Sequence, residues 1–304
     1  MPIEDESVTG QWPTVGARVC HQCAIEYGSR LQGHRLFGVQ RTPLLDEGVP
    51  GMRFVLIHGG FHGAWCWGRT IPELEGLGHE AIAIDIPGHG ERLHEEATMA
   101  SRLDAVLGVL QPDDVLVGHS GGGLEVTRAA DAAPNLVSHA IYLAAALPLE
   151  GLLMQEALVY RDDGSTEGDY DVTGMLKHLR FNDDGSMEFA SVEGAQELFY
   201  HDCDAATARW AFERLTPETA GDTATTPVSV PRFWEAELPR SFIVCLQDRA
   251  QPRWLADVTA RRLGVEPLAI DASHSPFLSR PAELARLLVE ATTTAPVGLL
   301  RPNG

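Results

Sequence analysis

Residues 115–123 read VLVGHSGGG, and the fold is decided here. Val115, Leu116 and Val117 form a short, wholly apolar run of the kind that fills a buried strand. Gly118-His119-Ser120-Gly121-Gly122 follows, and from Leu124 to Ala130 the composition turns helical. A strand that turns this sharply into a helix holds Ser120 in strained backbone geometry. Gly118 and Gly122 stand where a side chain would collide with the neighbouring strand or helix. Gly-x-Ser-x-Gly also fits an ordinary glycine-rich β-to-α turn, so the rest of the chain has to decide between the two.

Working outward, the same punctuation recurs. FVLI (54–57) runs into His58-Gly59-Gly60, AIAIDI (81–86) into Pro87-Gly88-His89-Gly90, and HAIYLAA (139–145) into a proline. Two later apolar runs, 241–246 and 267–270, precede an amphipathic closing helix over 282–291. Fully apolar strands alternating with helices predict an α/β protein with a mostly parallel central sheet covered by helices on both faces. Residues 18–28 and 34–44, divided by 29–33, predict an N-terminal β-hairpin extension after a solvated tail. Between 149 and 235 the pattern lapses into acidic turns, RDDGSTEGDYD and FNDDGS, and helical patches around 152–160 and 193–215. The expected organisation is a core of residues 1–148 and 236–304 interrupted by an inserted, mainly helical cap over 149–235.

Composition narrows the function. With 304 residues the chain can bury a large core, and 43 acidic against 23 basic residues give a net charge of −20. That balance opposes polyanions, because a nucleic-acid binder needs clustered cations to displace counterions. Neither nucleic acid nor a membrane surface is an expected partner. The single lysine, Lys177, leaves almost no candidate for Schiff-base chemistry. Five widely spread cysteines do not make a disulfide framework, the first ten residues lack a basic and apolar leader pattern, and no apolar run reaches spanning length. A cytoplasmic location is the expectation. CHQC (20–23) has zinc-like spacing at Cys20 and Cys23, but no second such pair follows, so two strand cysteines and no metal are expected.

If Ser120 is a nucleophile it needs a base, an acid to orient the base, and donors for an oxyanion. Open α/β sheets place such groups at the carboxyl ends of their strands. Of twelve histidines, His274 in AIDASHSPFLSRP follows the last predicted strand, whereas His58 and His89 sit in glycine turns that suit structural hydrogen bonding. Asp248 in FIVCLQDRAQP ends the preceding strand. Asp271 is close in sequence to His274, and Glu150 is offset from its strand end.

The order Ser120, Asp248, His274, with the HGG turn, the DIPGHG turn, the GHSGG elbow, QDRAQP and SHSPFLSRP, resembles the α/β-hydrolase fold superfamily. The likeness covers about 54–146 and 239–289 and is nearest the methylesterase and hydroxynitrile lyase-like branch. It implies oxyanion donors at the backbone N–H groups of Gly60 and Gly121. It also implies acyl transfer at a carboxylic ester, esterase or lactonase chemistry, with no cofactor. The lyases of that branch carry lysine directly after the catalytic histidine; Ser275 stands here, against cyanohydrin cleavage. Relatives that open epoxides use an aspartate at the elbow.

In such enzymes the cap builds the substrate pocket. Phe199, Trp210, Phe233 and Trp234, with Phe61, Trp65 and Phe277 on core loops, are candidate contacts for a hydrophobic, ring-containing ester or lactone. His201, Asp202 and Asp204 are weaker candidates for substrate hydroxyls. An acyltransferase, a cofactor-independent oxygenase or perhydrolase, or a small-molecule binding protein with a residual triad are the alternatives. Both a monomer and a homodimer stay open.

Overall fold

The computed structural model describes residues 51–160, 174–219 and 221–293. The expected N-terminal hairpin, Cys20 and Cys23 lie outside the described residues. In chain order the strands are β1 (Arg53–Ile57), β2 (Glu80–Ile84), β3 (Asp114–His119), β4 (Val137–Leu143), β5 (Leu179–Phe181), β6 (Met187–Phe189), β7 (Arg240–Cys245) and β8 (Leu268–Ile270). The helices used below are α1 (Ile71–Gly76), α2 (Met99–Leu107), α3 (Gly123–Ala132), α4 (Met154–Val159), α5 (Val192–Phe199), α6 (Ala205–Phe212), α7 (Pro231–Glu235), α8 (Arg253–Leu263), α9 (Pro276–Ser279) and α10 (Pro281–Ala291).

Six strands form one sheet in the order β2-β1-β3-β4-β7-β8, and every pairing in it is parallel. A parallel sheet must be covered on both faces, so its strands carry apolar residues in both directions. Phe54, Leu56, Val115, Val117, Ile141 and Ile243 point into one cluster, with Trp67, Leu74 and Leu288 of the covering helices. Val55, Ile57, Leu116, Tyr142 and Phe242 point into the other, with Val126, Ala129 and Leu263. Truncating one such residue, Leu116→Ala for example, removes about 2–5 kcal/mol of stability.

The strand order reverses direction between β1 and β3, the position at which open α/β sheets open a crevice beyond their strand ends. The register pairs Ile57 with Gly118, which sets His58-Gly59-Gly60 directly beside His119-Ser120-Gly121. Two motifs far apart in sequence thereby become one site.

Local structure is divided after Gly60 and departs from the expected elements in two further places. Between β1 and β2, Ala64–Arg69 is a 3₁₀ turn, and α1 starts separately at Ile71 with Pro72 in its first turn. Proline lacks the N–H that a continuing helix would need and is pre-set for a new helix start. The patch at 193–215 divides into α5 and α6 because Asp204 accepts the Thr207 N–H at 2.7 Å and caps a fresh N-terminus. FNDDGS is the turn of a small antiparallel hairpin, β5–β6, in the stretch between β4 and β7 expected to be mainly helical. Gly185 sits there at φ 82, and Asp184 Oδ1 accepts the Ser186 N–H at 2.9 Å. At the far end of the same stretch α7 packs on α3, and Phe233 and Trp234 sit in the second core cluster.

Candidate active site

Ser120 follows the last residue of β3 with φ 50, a left-handed conformation that costs an ordinary side chain about 1–3 kcal/mol. Close packing imposes it. A Cβ on Gly118 would lie 2.6 Å from the Gly122 carbonyl oxygen, and one on Gly122 would lie 2.6 Å from the His58 oxygen. The Ser120 carbonyl is held by the Ala146 N–H at 2.9 Å. Phe61 and Ala144 also have positive φ, at 64 and 42, and both line the same cavity as Ser120. Of the four non-glycine residues with positive φ among those described, all but Asp113 therefore border one space, of about 300 Å³.

His274 and Asp248 meet at that space. Asp248 Oδ1 accepts the N–H groups of Ala250 and Gln251, each at 2.8 Å, which fixes the carboxylate just beyond β7. Its Oδ2 accepts a 2.7 Å hydrogen bond from His274 Nδ1, and both side chains are buried. The His274 ring lies between Phe199, stacked at 5.3 Å, and His119, 4.6 Å away. His119 Nε2 donates to the His274 carbonyl at 2.8 Å. From the insertion, Asp202 Oδ2 accepts the Ser273 N–H at 3.0 Å and the Ser279 hydroxyl at 2.7 Å, so the loop carrying His274 is clamped from both ends.

The turn after β1 is held equally tightly. His58 Nδ1 donates to the Gly59 carbonyl while its Nε2 accepts the Ile86 N–H, tying this turn to the one after β2. His62 Nδ1 donates to the Gly60 carbonyl at 2.8 Å, and its Nε2 accepts the Tyr200 hydroxyl at 2.7 Å. Burial, the largest cause, lowers His58 to about 4 and His62 to about 3, so both are neutral and each has one donating and one accepting nitrogen. Gly60 and Gly121 both line the cavity, and a Cβ on Gly121 would be 3.4 Å from the Gly60 nitrogen. The two peptide groups thus approach each other beside Ser120.

The structure brings Ser120, His274, Gly60, Gly121, Phe61 and Phe199 to one cavity, with Asp248 directly behind His274. Five of the aromatic candidates do not line it, among them Trp234, which is buried in the second core cluster beside Phe233. Phe233 is fully buried under α3, with its N–H donating to Asp131 and the Arg240 guanidinium over its ring at 4.3 Å. Phe277 packs beneath His119 and Trp67 as a support for the histidines. Trp65 and Trp210 meet edge-to-face at 5.3 Å, holding α6 to the turn after β1. In each case an aromatic ring does core or seam packing, a use that sequence does not distinguish from ligand contact. Asp204 caps α6, Glu150 accepts from Ser229 and the Val230 N–H, and Asp271 accepts from Gln247, so these carboxylates have structural partners.

Sequence reasoning missed a buried charged group in the cavity wall. Glu218 Oε2 accepts the Phe61 N–H at 3.0 Å and a 2.9 Å bond from His89 Nε2, and its Oε1 lies 3.3 Å from Arg102. Arg102 is also 3.6 Å from Glu125. His89, Arg102, Glu125 and Glu218 come from a turn, two helices and the insertion, and all four line the cavity. Although burial opposes it, the bond from His89 and the Arg102 charge hold Glu218 down to about 2. Glu125 is raised, chiefly by burial. Only the polarity of HG in DIPGHG could have hinted at this group, because Arg102 and Glu125 read as ordinary helix residues.

With this geometry in hand, comparison with known proteins is direct. The sequence model of the Alpha/beta hydrolase family matches residues 54–287, and the chain belongs to that family. Methylesterase 10 of Arabidopsis thaliana is 28% identical over 264 residues, 78% of this chain and 90% of that protein. Esterase PIR7B of Oryza sativa subsp. japonica is 44% identical over a shorter stretch of 107 residues, 32% of this chain and 40% of the relative. Polyneuridine aldehyde esterase superposes with a TM-score of 0.67 at 24% identity, over 79% of this chain and 98% of that one, a likeness of fold. The esterase and methylesterase relatives support a carboxylic ester hydrolase of the methylesterase-like branch.

Proposed function

We propose that the protein hydrolyses a carboxylic ester or lactone of a hydrophobic, ring-containing small molecule through an acyl-enzyme on Ser120. The observation that carries this reading is the strained Ser120 in a cavity shared with His274, whose Nδ1 is tied to Asp248 at 2.7 Å. Asp248 keeps Nδ1 protonated and leaves Nε2 free to accept. Ser120 Oγ attacks the carbonyl carbon as its proton passes to His274 Nε2. The carbonyl π electrons move to oxygen, and the Gly60 and Gly121 N–H groups stabilise that charge, aided by the N-terminus of the helical segment beginning at Ser120. His274 then gives the proton to the departing alkoxide as the C–O bond breaks. Water repeats the sequence on the acyl-enzyme, losing a proton to Nε2 and releasing the acid with Ser120 restored.

Apolar walls supplied by Phe61, Ile86, Leu158, Phe199 and Leu255 favour an aryl or cyclic substrate, and the volume suits a small one. A panel of methyl, aryl and lactone esters tests the reading. Wild type should turn over at least one class, and Ser120→Ala, folded with an unchanged melting temperature, should lose turnover by about 10⁶ in kcat. Undiminished hydrolysis by that variant would sink the proposal.

A further inference from the structure

The end of α5 and the turn after it, residues 199–202, reach both halves of the proposed catalytic apparatus. Toward the base, the Phe199 ring stacks on His274 at 5.3 Å, the Phe199 carbonyl accepts the Ser273 hydroxyl at 2.8 Å, and Asp202 accepts the Ser273 N–H. Toward the oxyanion turn, the Tyr200 hydroxyl donates to His62 Nε2 at 2.7 Å. The tautomer of His62 follows from its two partners. The Gly60 carbonyl can only accept, so Nδ1 carries the proton that bonds it, Nε2 is a lone pair, and Tyr200 is the donor. Burial pushes the Tyr200 phenol well above its ordinary value of about 10, which keeps that proton on oxygen. Without the hydroxyl, Nε2 would be a buried acceptor with no donor, and the competing tautomer would turn the Nδ1 lone pair against the Gly60 carbonyl.

Gly60 carries the consequence. Its N–H, one of the two proposed oxyanion donors, has no acceptor among the described residues, whereas the polar groups on either side of it are held. The Gly59 carbonyl, in the same peptide unit as that N–H, accepts His58 Nδ1 at 2.8 Å and the His62 N–H at 3.3 Å. Beyond the Gly60 Cα, His62 Nδ1 holds the carbonyl at 2.8 Å and Glu218 holds the Phe61 N–H at 3.0 Å. Glycine has no Cβ to restrict the two peptide planes, so these bonds set the direction of the unpaired N–H. Tyr200 secures the ring that supplies one of them.

We propose that Tyr200 is a positioning residue for the oxyanion: through His62 it holds the Gly60 carbonyl, and so keeps the Gly60 N–H aimed beside Ser120, while its neighbours Phe199 and Asp202 hold the base. The stretch between β4 and β7 thereby sets reaction geometry as well as walling the cavity. This rests on the hydrolase reading.

The test compares kcat and KM for p-nitrophenyl acetate with inhibition by two ketones. Benzyl trifluoromethyl ketone adds Ser120 Oγ to its carbonyl carbon, passes the serine proton to His274 and becomes an oxyanion; benzyl methyl ketone serves as the ligand that binds without addition. Tyr200→Phe should lower kcat about tenfold and change KM less than about twofold. It should weaken the trifluoromethyl ketone about tenfold and leave the methyl ketone as it was. His62→Leu should lose at least as much, and adding Tyr200→Phe to it should cost nothing more, because the hydroxyl acts only through the ring. His62→Asn, whose amide N–H can stand in for Nδ1–H, should recover most of what His62→Leu loses. Circular dichroism checks folding, and the contrast between His62→Asn and His62→Leu decides the matter if Tyr200→Phe unfolds. Unchanged kcat in folded Tyr200→Phe, a rise in KM alone, equal weakening of both ketones, or additive losses in the double variant would overturn the proposal and leave the bond a structural tie. Failure of the hydrolase reading would look different and would remove the positioning role with it: wild type itself would hydrolyse no ester and bind the two ketones alike.

Discussion

His274 meets Asp248 at 2.7 Å and, in the wall of the same cavity, His89 meets Glu218 at 2.9 Å. The two pairs use the same residue types and differ in their surroundings. Asp248 spends its second oxygen on two backbone N–H groups at the end of β7, so its charge is directed at one imidazole and fixes its tautomer. Glu218 divides its charge among the Phe61 N–H, His89 and Arg102. In the proposed mechanism the first arrangement prepares a ring to accept a proton from Ser120. The second balances charge and joins the insertion to α2 and to the turn after β1. A histidine beside a carboxylate thus means little alone; the partners of the remaining oxygen and the presence of a strained nucleophile decide what the pair can do.

The comparison is broken most severely by replacing the two carboxylates in turn. Asp248→Asn should lower kcat by about 10⁴, the cost of a wrong tautomer in such a triad. Glu218→Gln, which keeps an acceptor for the Phe61 N–H, should lower it by about tenfold at most. Steady-state kinetics on a single activated ester measures both, and equal losses would mean that the pairs are not different in kind.

A second probe is pH. His58 and His62 are buried neutral with native values near 4 and 3, below the ordinary histidine value near 6.5, and Glu218 is lowered to about 2. As pH falls from about 6.5 toward 4 the unfolded chain takes up protons that the native histidines refuse, so stability is lost on acidification. Glu218 extends the loss in the same direction from about 4.5 toward 2. For His58 the shift corresponds to something on the order of 3 kcal/mol, and chemical denaturation at pH 7, 5.5 and 4.5 reads it. A midpoint independent of pH over that range would contradict neutral burial of these rings. The smallest expected effect is at Asp202, which clamps the His274 loop from the insertion. Asp202→Asn should cost about 1 kcal/mol and lower the melting temperature by about 2–4 °C, measured by scanning calorimetry.

Much of this molecule was legible before any coordinates. Apolar runs ending in glycine turns give a parallel sheet because only a sheet buried on both faces needs them, and the elbow at Ser120 is a local steric pattern written in Gly118 and Gly122. His274 and Asp248 were readable because strand ends place side chains in a known crevice. What escaped notice depends on long-range meeting. Glu218 reaches Phe61 across 157 positions, and nothing local in a loop carboxylate announces a buried ion pair. The aromatic residues failed for a related reason: Phe233 and Phe277 are as apolar as Phe61 and Phe199, and only packing shows which rings face the cavity.

The most direct test of the account is covalent. On brief exposure to p-nitrophenyl acetate followed by acid quench, mass spectrometry of the intact wild-type protein should show the gain of one acetyl group. Peptide mapping should place it on Ser120, and Ser120→Ala should gain none. Acetyl mapped to another residue, or p-nitrophenol released at the same rate by Ser120→Ala, would contradict a nucleophile at the strained turn after β3.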